Sequence, residues 1–389
     1  MILKAFKYRL KPTATDAILI DKHIGSCRFV YNRALETKQL AYTDNINLSK
    51  FDLIKKLPDL KKEFDWLKEI NSQSLQQSVI HSDTAFTNFF DGRAKFPKYK
   101  SKAKSTKSFN VPQSISIIDN KLSIPKFKKG IEIIQHRTFE GKIKQCTISK
   151  TPTGKYFASI LVETTDIKRT KPSVTKENTI GVDLGIKDFL ITSNGDKIDN
   201  PKFLKKEMSK LKFTQSKYSK NKGKRTKKRL AKLHEKVVNK RKDFLHKVST
   251  MLVRENQTIA LETLKVKNMI KNHKLAQAIS DVSWSTFVTM LEYKAEWYGA
   301  NIIRIGTFEP SSKTCSVCGI INEELKLKDR EWTCNNGHKL DRDINASINI
   351  KNFALKKQLS TEHRLKNRNE LPTLVGVTTY EAPMPLGLG

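Results

Sequence analysis

The chain has 389 residues, and 74 Lys and Arg against 39 Asp and Glu give it a formal net charge of +35. That excess excludes an acidic, self-solvating protein and makes a polyanion the first partner to consider. The length predicts two or three domains of about 100–200 residues, and a hydrophobic fraction of 38% argues for globular folding rather than disorder.

Residues 2–10 alternate, with Ile2, Lys4, Phe6, Tyr8 and Leu10 on one side, and read as a strand that ends at Pro12. The opening MILKAFKYRLKPT holds no continuous apolar run, and no uncharged stretch reaches membrane-spanning length, so a soluble, cytoplasmic protein is expected. From Thr15 to about Tyr42, Ile20, Ile24, Cys27, Tyr31, Ala34 and Leu35 recur at helical spacing, and Leu53 to Phe90 carries further helical stretches. At Gly92 the chain turns basic, in GRAKFPKYKSKAKSTK, where Phe96 and Tyr99 could stack on bases or anchor the loop. Short β-like runs separated by Asn, Gly and Pro follow from Ser108 to Thr165 and predict a small barrel or sandwich that the first strand joins.

After a linker, KRTKPSVTKEN, the strand-like TIGVDLGIKDFLITSNGDKI opens a second unit. Residues 202–247 form a long helical region with 19 Lys and Arg against 3 Asp and Glu; apolar Leu230, Leu233, Val237, Phe244 and Val248 let one face pack while a cationic face meets phosphates or solvent. A strand (TIALETL), a helix (Ser283 to Gly299), a strand (NIIRIGT), a cysteine-bearing insert and a helix starting near Asp341 complete an α/β pattern. The Gly- and Pro-rich end, PTLVGVTTYEAPMPLGLG, predicts a poorly ordered tail.

Three acids stand out in this unit. The strand period puts Ile180, Val182 and Leu184 on one face and Gly181, Asp183 and Gly185 on the other, so Asp183 sits on a bare face that an ion or a phosphate can approach. Glu262 shares a face with Ala260, opposite Ile259 and Leu261. An acid in an apolar strand is costly unless a cation compensates it. In DRDINASINI, Asp341 suits an N-cap and Asp343 the first helical turn. Each acid alone also suits a turn or an edge. Asp, Glu and Asp in the order strand, strand, helix suit a ribonuclease H-like fold in which hard oxygen ligands hold two Mg²⁺ ions for phosphodiester hydrolysis.

Cys315, Cys318, Cys334 and His338 follow C-x2-C-x15-C-x3-H, the donor set of a closed structural zinc site. His338 also reads as a surface residue of the turn NNGHK. Cys27 and Cys146 have no metal partner in sequence and are expected in packed positions. Five cysteines in all are too few for a disulfide framework and suit a reducing cytosol.

KAFKYRLKPT, CRFVYNRAL, SLQQSVIHSDTAFTNFFDGRAKFPKYKSK, GVDLGIKDF, ALETLKVKNM, EPSSKTCSVCG, DREWTC and LDRDINASINI occur in that order. Together they resemble the TnpB (OrfB) family of transposon-encoded RNA-guided endonucleases, related to type V CRISPR effectors. The resemblance implies an α+β multidomain chain: a wedge β-barrel (1–12 and 106–172), an inserted helical recognition domain (13–105), a RuvC-like nuclease domain (173–307 and 340–356), a zinc-binding insert (308–339) and a tail (357–389). It implies catalysis by Asp183, Glu262 and Asp343 with Mg²⁺, a guide RNA from the transposon end, and double-stranded target DNA bearing a short adjacent motif. Family members close the knuckle with a second C-x2-C followed by Gly. CNNGHKLDRD has no fourth cysteine, so either His338 takes its place or the insert binds metal weakly or not at all. A catalytically silent guide-directed regulator and a strand-transferring transposase are the alternative functions.

Overall fold

A computed structural model describes residues 1–167, 169–326 and 329–369. It comprises two compact units, Met1–Lys168 with Ser209–Lys236, and Arg169–Met208 with the chain from Val237 onward. Among the described residues no helix is long and apolar enough to cross a membrane.

In the first unit, β1 (Ile2–Lys11) buries Ile2, Tyr8 and Leu10 and exposes Leu3, Ala5 and Lys7, as the period of two predicts. Helix α1 (Ala14–Thr43) starts at a capping box: Thr13 Oγ1 accepts from the Asp16 N–H at 3.2 Å, and the Asp16 carboxylate accepts from the Thr13 N–H at 3.3 Å. Its buried stripe of Ile20, Ile24, Cys27, Tyr31 and Ala34 is the one the spacing predicts. Short helices α2 (Lys50–Lys55) and α3 (Leu57–Glu63) and a 3-10 turn (Asp65–Glu69) lead to α4 (Ser72–Phe90). Here α4 packs on α1, where Cys27 Sγ donates to the Ser74 carbonyl at 3.4 Å.

Six strands follow: β2 (Ser108–Val111), β3 (Ser116–Ile118), β4 (Lys121–Ser123), β5 (Ile131–Ile134), β6 (Gly141–Lys150) and β7 (Tyr156–Thr164). They form one sheet with β1 in its middle, in the order β2-β6-β7-β1-β5-β4-β3. The first strand joins this sheet as expected, but the closed barrel or sandwich is not formed. The edges β2 and β3 are only four and three residues long and share no ladder, and closure requires a staggered ladder between the edges. The result is a half-barrel. Cys27 and Cys146 are both buried in the core beneath it, and burial pushes their thiols up to about 11 and about 12. Phe96 packs edge-to-face on Phe86 and Phe89, and Tyr99 donates to Gln39 Oε1 at 2.9 Å, so both rings of the basic loop anchor it.

In the second unit, β8 (Thr179–Leu184), β9 (Asp188–Thr192) and β10 (Lys197–Asp199) form an antiparallel meander. The basic run forms α5 (Phe203–Asn221) and α6 (Lys224–Glu255), whose Ser209–Lys236 portion belongs to the first unit. Next come β11 (Thr258–Glu262), α7 (Val266–Met269), α8 (His273–Val282), α9 (Trp284–Tyr298), β12 (Asn301–Ile305), the small hairpin β13 (Glu331–Thr333) and β14 (Lys339–Asp341), and α10 (Arg342–Asn369). The sheet runs β10-β9-β8-β11-β12, with β11 parallel to both β8 and β12. On one side Ile180, Val182, Leu184, Ile259 and Leu261 pack with Leu245, Leu252, Phe287 and Leu291. On the other, Ala260 and Ile305 pack with Ile350 and Ala354 of α10.

Gly181 decides how close α10 comes. A Cβ there would lie 1.9 Å from the Ser347 carbonyl oxygen and 2.8 Å from the Lys351 nitrogen. The bareness expected to admit an ion therefore admits a helix backbone instead. At Gly185 a Cβ would meet the Asp188 carbonyl oxygen at 2.7 Å, so that glycine serves the tight turn into β9. The expected tail from residue 357 is also corrected, because α10 stays helical through Asn369; the PTLVGVTTYEAPMPLGLG stretch lies outside the described residues.

Gly181→Ala should destabilise the protein by about 3 kcal/mol or more, since backbone rather than a movable side chain blocks the new methyl. Gly25→Ala, in the interior of α1 with nothing within 4 Å of its Cβ position, should instead stabilise it by about 0.5–1 kcal/mol. Denaturant unfolding of the two variants checks the contrast.

Candidate carboxylate site and metal knuckle

The register pairs Val182 with Leu261 on parallel β8 and β11. One step further along, Asp183 and Glu262 are neighbours across the two strands. Asp343 lies in the first turn of α10, one turn ahead of Ser347, whose carbonyl sits over Gly181. Asp183 is the enclosed member: burial, then the negative charges of Glu262 and Asp343, push its carboxyl up to about 7, with Arg342 acting in the opposite direction. The charges of the other two predicted acids thus both act on Asp183, at one end of the sheet.

Asp341 caps α10 as predicted, its Oδ1 accepting from the N–H groups of Asp343 at 2.9 Å and Ile344 at 3.0 Å. Lys197 pairs with the other oxygen at 2.7 Å and holds the Asp341 carboxyl below its usual range despite partial burial. Asp343 is paired with Arg330 at 2.8 Å and Arg342 at 3.2 Å. Glu262 accepts a short hydrogen bond from Ser311 Oγ. Sequence reading missed Ser311, Arg330 and Arg342 as partners of the acids, since only the fold brings the first two near. A weaker signal was present in DRDINASINI: Asn345 and Asn349, four residues apart, share a helix face. Asn345 Nδ2 donates to the Thr314 carbonyl at 2.7 Å and its Oδ1 accepts from the Ser316 N–H at 2.8 Å, while Asn349 Nδ2 donates to the Ser311 carbonyl at 2.8 Å. These two amides, 1% and 3% exposed, latch residues 311–316 onto α10.

Cys315, Cys318, Cys334 and His338 bring their ligand atoms within 4.8 Å of one another. Cys318 and Cys334 sulfurs are 3.8 Å apart, and His338 Nδ1 lies 3.1 Å from Cys334 Sγ and 3.8 Å from Cys315 Sγ. A tetrahedral zinc with Zn–S of about 2.3 Å separates its ligand atoms by roughly 3.6–3.8 Å, so the donor set fits that ion. His338 is thus a member of the cluster and not a detached surface residue. Two matching turns build it. The Gly319 N–H donates to the Cys315 carbonyl at 2.9 Å and the Gly337 N–H to the Cys334 carbonyl at 2.8 Å, both glycines in the left-handed region. In the second turn the glycine comes one residue earlier and the ligand one residue later, and the longer imidazole reaches back to the sulfurs. Trp332, Leu325 and Leu340 pack around the thiols.

Residues 159–273 match the OrfB_IS605 family, described as "Probable transposase". Residues 284–350 match the Cas12f1-like TNB domain, and residues 1–46 match a helix-turn-helix domain of the OrfB_IS605 group; in this chain that last stretch is one strand and one long helix. Over 360 residues the chain is 39% identical to the "Putative RNA-guided DNA endonuclease" of Streptomyces pristinaespiralis, covering 90% of this chain and 89% of that one. Over 374 residues it is 28% identical to the "Putative RNA-guided DNA endonuclease InsQ" of Escherichia coli K12, covering 90% and 91%. The fold is similar to that of Cas12f1 in its complex with sgRNA and target DNA, with a TM-score of 0.55 and 13% identity over 90% of this chain and 98% of that one.

The raised Asp183 carboxyl has a consequence for stability. A carboxyl that keeps its proton to about pH 7 when folded but to about pH 4 when unfolded makes the metal-free protein lose stability as pH rises between those values. Asp183→Asn should therefore raise the melting temperature of the metal-free protein at pH 8 and leave it nearly unchanged at pH 4, measured by calorimetry in chelator. Elemental analysis should find one zinc per chain in the wild type and none in Cys315→Ser; a zinc-free wild type would defeat the knuckle assignment.

Proposed function

The chain belongs to the OrfB_IS605 (TnpB) family, and on that premise we propose that it is an RNA-guided DNA endonuclease of an IS605-family transposon that hydrolyses target DNA at Asp183, Glu262 and Asp343. The observation that supports this reading most is that the charges of Glu262 on β11 and Asp343 in the first turn of α10 both act on Asp183 of β8. Their strand, strand, helix order on a β10-β9-β8-β11-β12 sheet suits a ribonuclease H-like, RuvC-type domain.

Three carboxyl groups, one of them an enclosed carboxyl that retains a proton to about pH 7, are a site short of a cation, and Mg²⁺ fits that donor set. When bound, Mg²⁺ supplies an activated water and stabilises the leaving oxygen of the phosphodiester. The protein's own groups orient the ligands. Ser311 Oγ fixes Glu262, Arg330 and Arg342 hold Asp343, and the Asp341 cap with Lys197 fixes the helix end that carries it.

On the same reading, residues 1–12 and 106–172 are the wedge, 13–105 the recognition domain, 173–307 and 340–356 the nuclease domain, and 308–339 a zinc-stabilised insert that handles the target strand. A guide RNA from the transposon end would select the target by base pairing, and the protein would read a short motif beside it. Hydrolysis is favoured over strand transfer because the glutamate lies on a strand rather than on the final helix.

Asp183→Ala should abolish cleavage of a matched plasmid in Mg²⁺ while leaving RNA binding within about twofold, since Asp183 holds metal rather than RNA. Plasmid cleavage by that variant would sink the active-site assignment. Joined rather than cut products from the wild type would favour the transposase.

A further inference from the structure

Among the described residues the Glu262 carboxylate has one hydrogen-bond partner, the Ser311 hydroxyl, and no ion pair, whereas Asp343 is held by two guanidinium groups. Ser311 is 4% exposed, and a serine hydroxyl has a single proton to give. That proton goes to Glu262 Oε1, which restrains the orientation of the carboxylate and leaves Oε2 for a cation. The position of one buried hydroxyl therefore decides how Glu262 is presented.

Ser311 lies in a turn gathered on the Pro310 carbonyl, which accepts from the Lys313 N–H at 3.1 Å, the Thr314 N–H at 3.0 Å and Thr314 Oγ1 at 2.8 Å. Residues 310–314 are thus tied into one piece. Asn349 Nδ2 donates to the carbonyls of both Ser311 and Thr314, and Asn345 holds the Thr314 carbonyl and the Ser316 N–H. Thr314 and Ser316 are the two neighbours of Cys315. The grip of α10 on this loop is therefore a grip on the backbone at either side of a knuckle ligand.

From the other direction the same residues are tied to the knuckle. The Cys315 N–H donates to the Ile320 carbonyl at 2.8 Å, the Asn322 N–H donates to the Lys313 carbonyl at 2.9 Å, and Thr314 bridges to Ile321. What stands behind these bonds is small: two strands of three residues, β13 and β14, and a cluster of Trp332, Leu325 and Leu340 around the cysteines. A core of that size is one that metal binding completes. A metal in the knuckle would fix Cys315, with it Thr314, and through the turn the hydroxyl on Glu262.

We propose that Ser311 is a positioning residue that couples the two metal sites, so that a filled knuckle raises the affinity of the acids for a divalent cation. The proposal rests on the nuclease reading for the cation at Asp183, Glu262 and Asp343. It goes beyond that reading in giving the knuckle a second role, because its occupancy is read at the acids through one hydroxyl. Coupling between binding sites is reciprocal, so a cation at the acids also tightens the hold of the knuckle on zinc.

The test is Mn²⁺ binding to the full chain, free of nucleic acid, followed by electron paramagnetic resonance, with zinc content measured on the same samples; Mn²⁺ takes the same hard oxygen ligands as Mg²⁺. Ser311→Ala, with its zinc retained, should weaken Mn²⁺ binding by about tenfold or more, and Ser311→Thr, which keeps a hydroxyl, should recover most of that loss. Cys315→Ser should weaken Mn²⁺ binding by about fivefold or more in the wild-type background. In the Ser311→Ala background it should have no further effect, because the coupling passes through Ser311. Since Cys315→Ser could unfold the insert, the Ser311→Ala arm, in which the knuckle stays filled, decides by itself: Mn²⁺ affinity equal to that of the wild type would overturn the proposal. Equal losses on Cys315→Ser with and without the Ser311 hydroxyl would overturn it as well. Asp183→Asn is the separate control. If that variant binds Mn²⁺ like the wild type, the nuclease reading and this proposal fall together, whereas a loss in Asp183→Asn with none in Ser311→Ala sinks the proposal alone.

Discussion

The placement of the acids depends on one steric contact, that of the α10 backbone on β8 at Gly181, where a Cβ would come within 1.9 Å of the Ser347 carbonyl oxygen. A helix seated on side chains could slide or tilt by the width of a methyl. Seated on a bare strand, it has one depth and one axial position. Asp343 is four residues before Ser347, and four residues before Lys351 brings Ser347 itself, so all three lie on the stripe that meets the strand. Constellations that bind metal for catalysis tolerate errors of only about 0.5 Å. A single glycine therefore sets the geometry of an acid more than 150 residues away in the chain without taking part in any chemistry.

Other faces of α10 extend that precision outward. Ile350 and Ala354 pack into Ala260 and Ile305, which secures β11 and with it Glu262. Asn345 and Asn349 hold the loop that carries Ser311 at one end and Cys315 at the other. Both amides are almost fully buried, so releasing the loop would strand their polar atoms, at about 1–3 kcal/mol each. The loop in turn donates Ser311 Oγ to Glu262. The cysteine knuckle and Glu262 are thus connected through the 311–316 loop and its hydrogen bonds, so that whatever orders Cys315 also orders the partner of Glu262.

The parts of this arrangement visible in the sequence are those with a short repeat. Alternation along Thr179–Leu184 and Thr258–Glu262 separated core from acid, the Asp341 cap marked the start of α10, and the cysteine spacing marked the knuckle. The parts that escaped it depend on distant chain. Whether seven strands close into a barrel depends on the edges, and β2 and β3 are too short to carry that signal. Gly181 reads the same whether an ion or a helix approaches it. Helix α8 was passed over because HKLAQAISDV is short and begins with polar residues. Residues 357–369 were assigned to a tail from the composition of the residues beyond them, whereas the helix that precedes them simply continues.

Charge brings the two levels together. Nearly half of the +35 lies in residues 202–247, whereas the cation that lowers the Asp183 pKa is Arg342, beside Asp343. The Asp183 carboxyl is raised by burial and then by its two acid neighbours even inside a strongly basic protein. On the proposed function, that balance is what a metal-dependent nuclease requires. A positive field spread over the acids would favour their ionisation but would remove the reason for a divalent cation to bind there. On the same reading, charge concentrated elsewhere would attract the phosphate backbone through long-range steering and would leave the final neutralisation, at the bond to be cut, to a divalent cation.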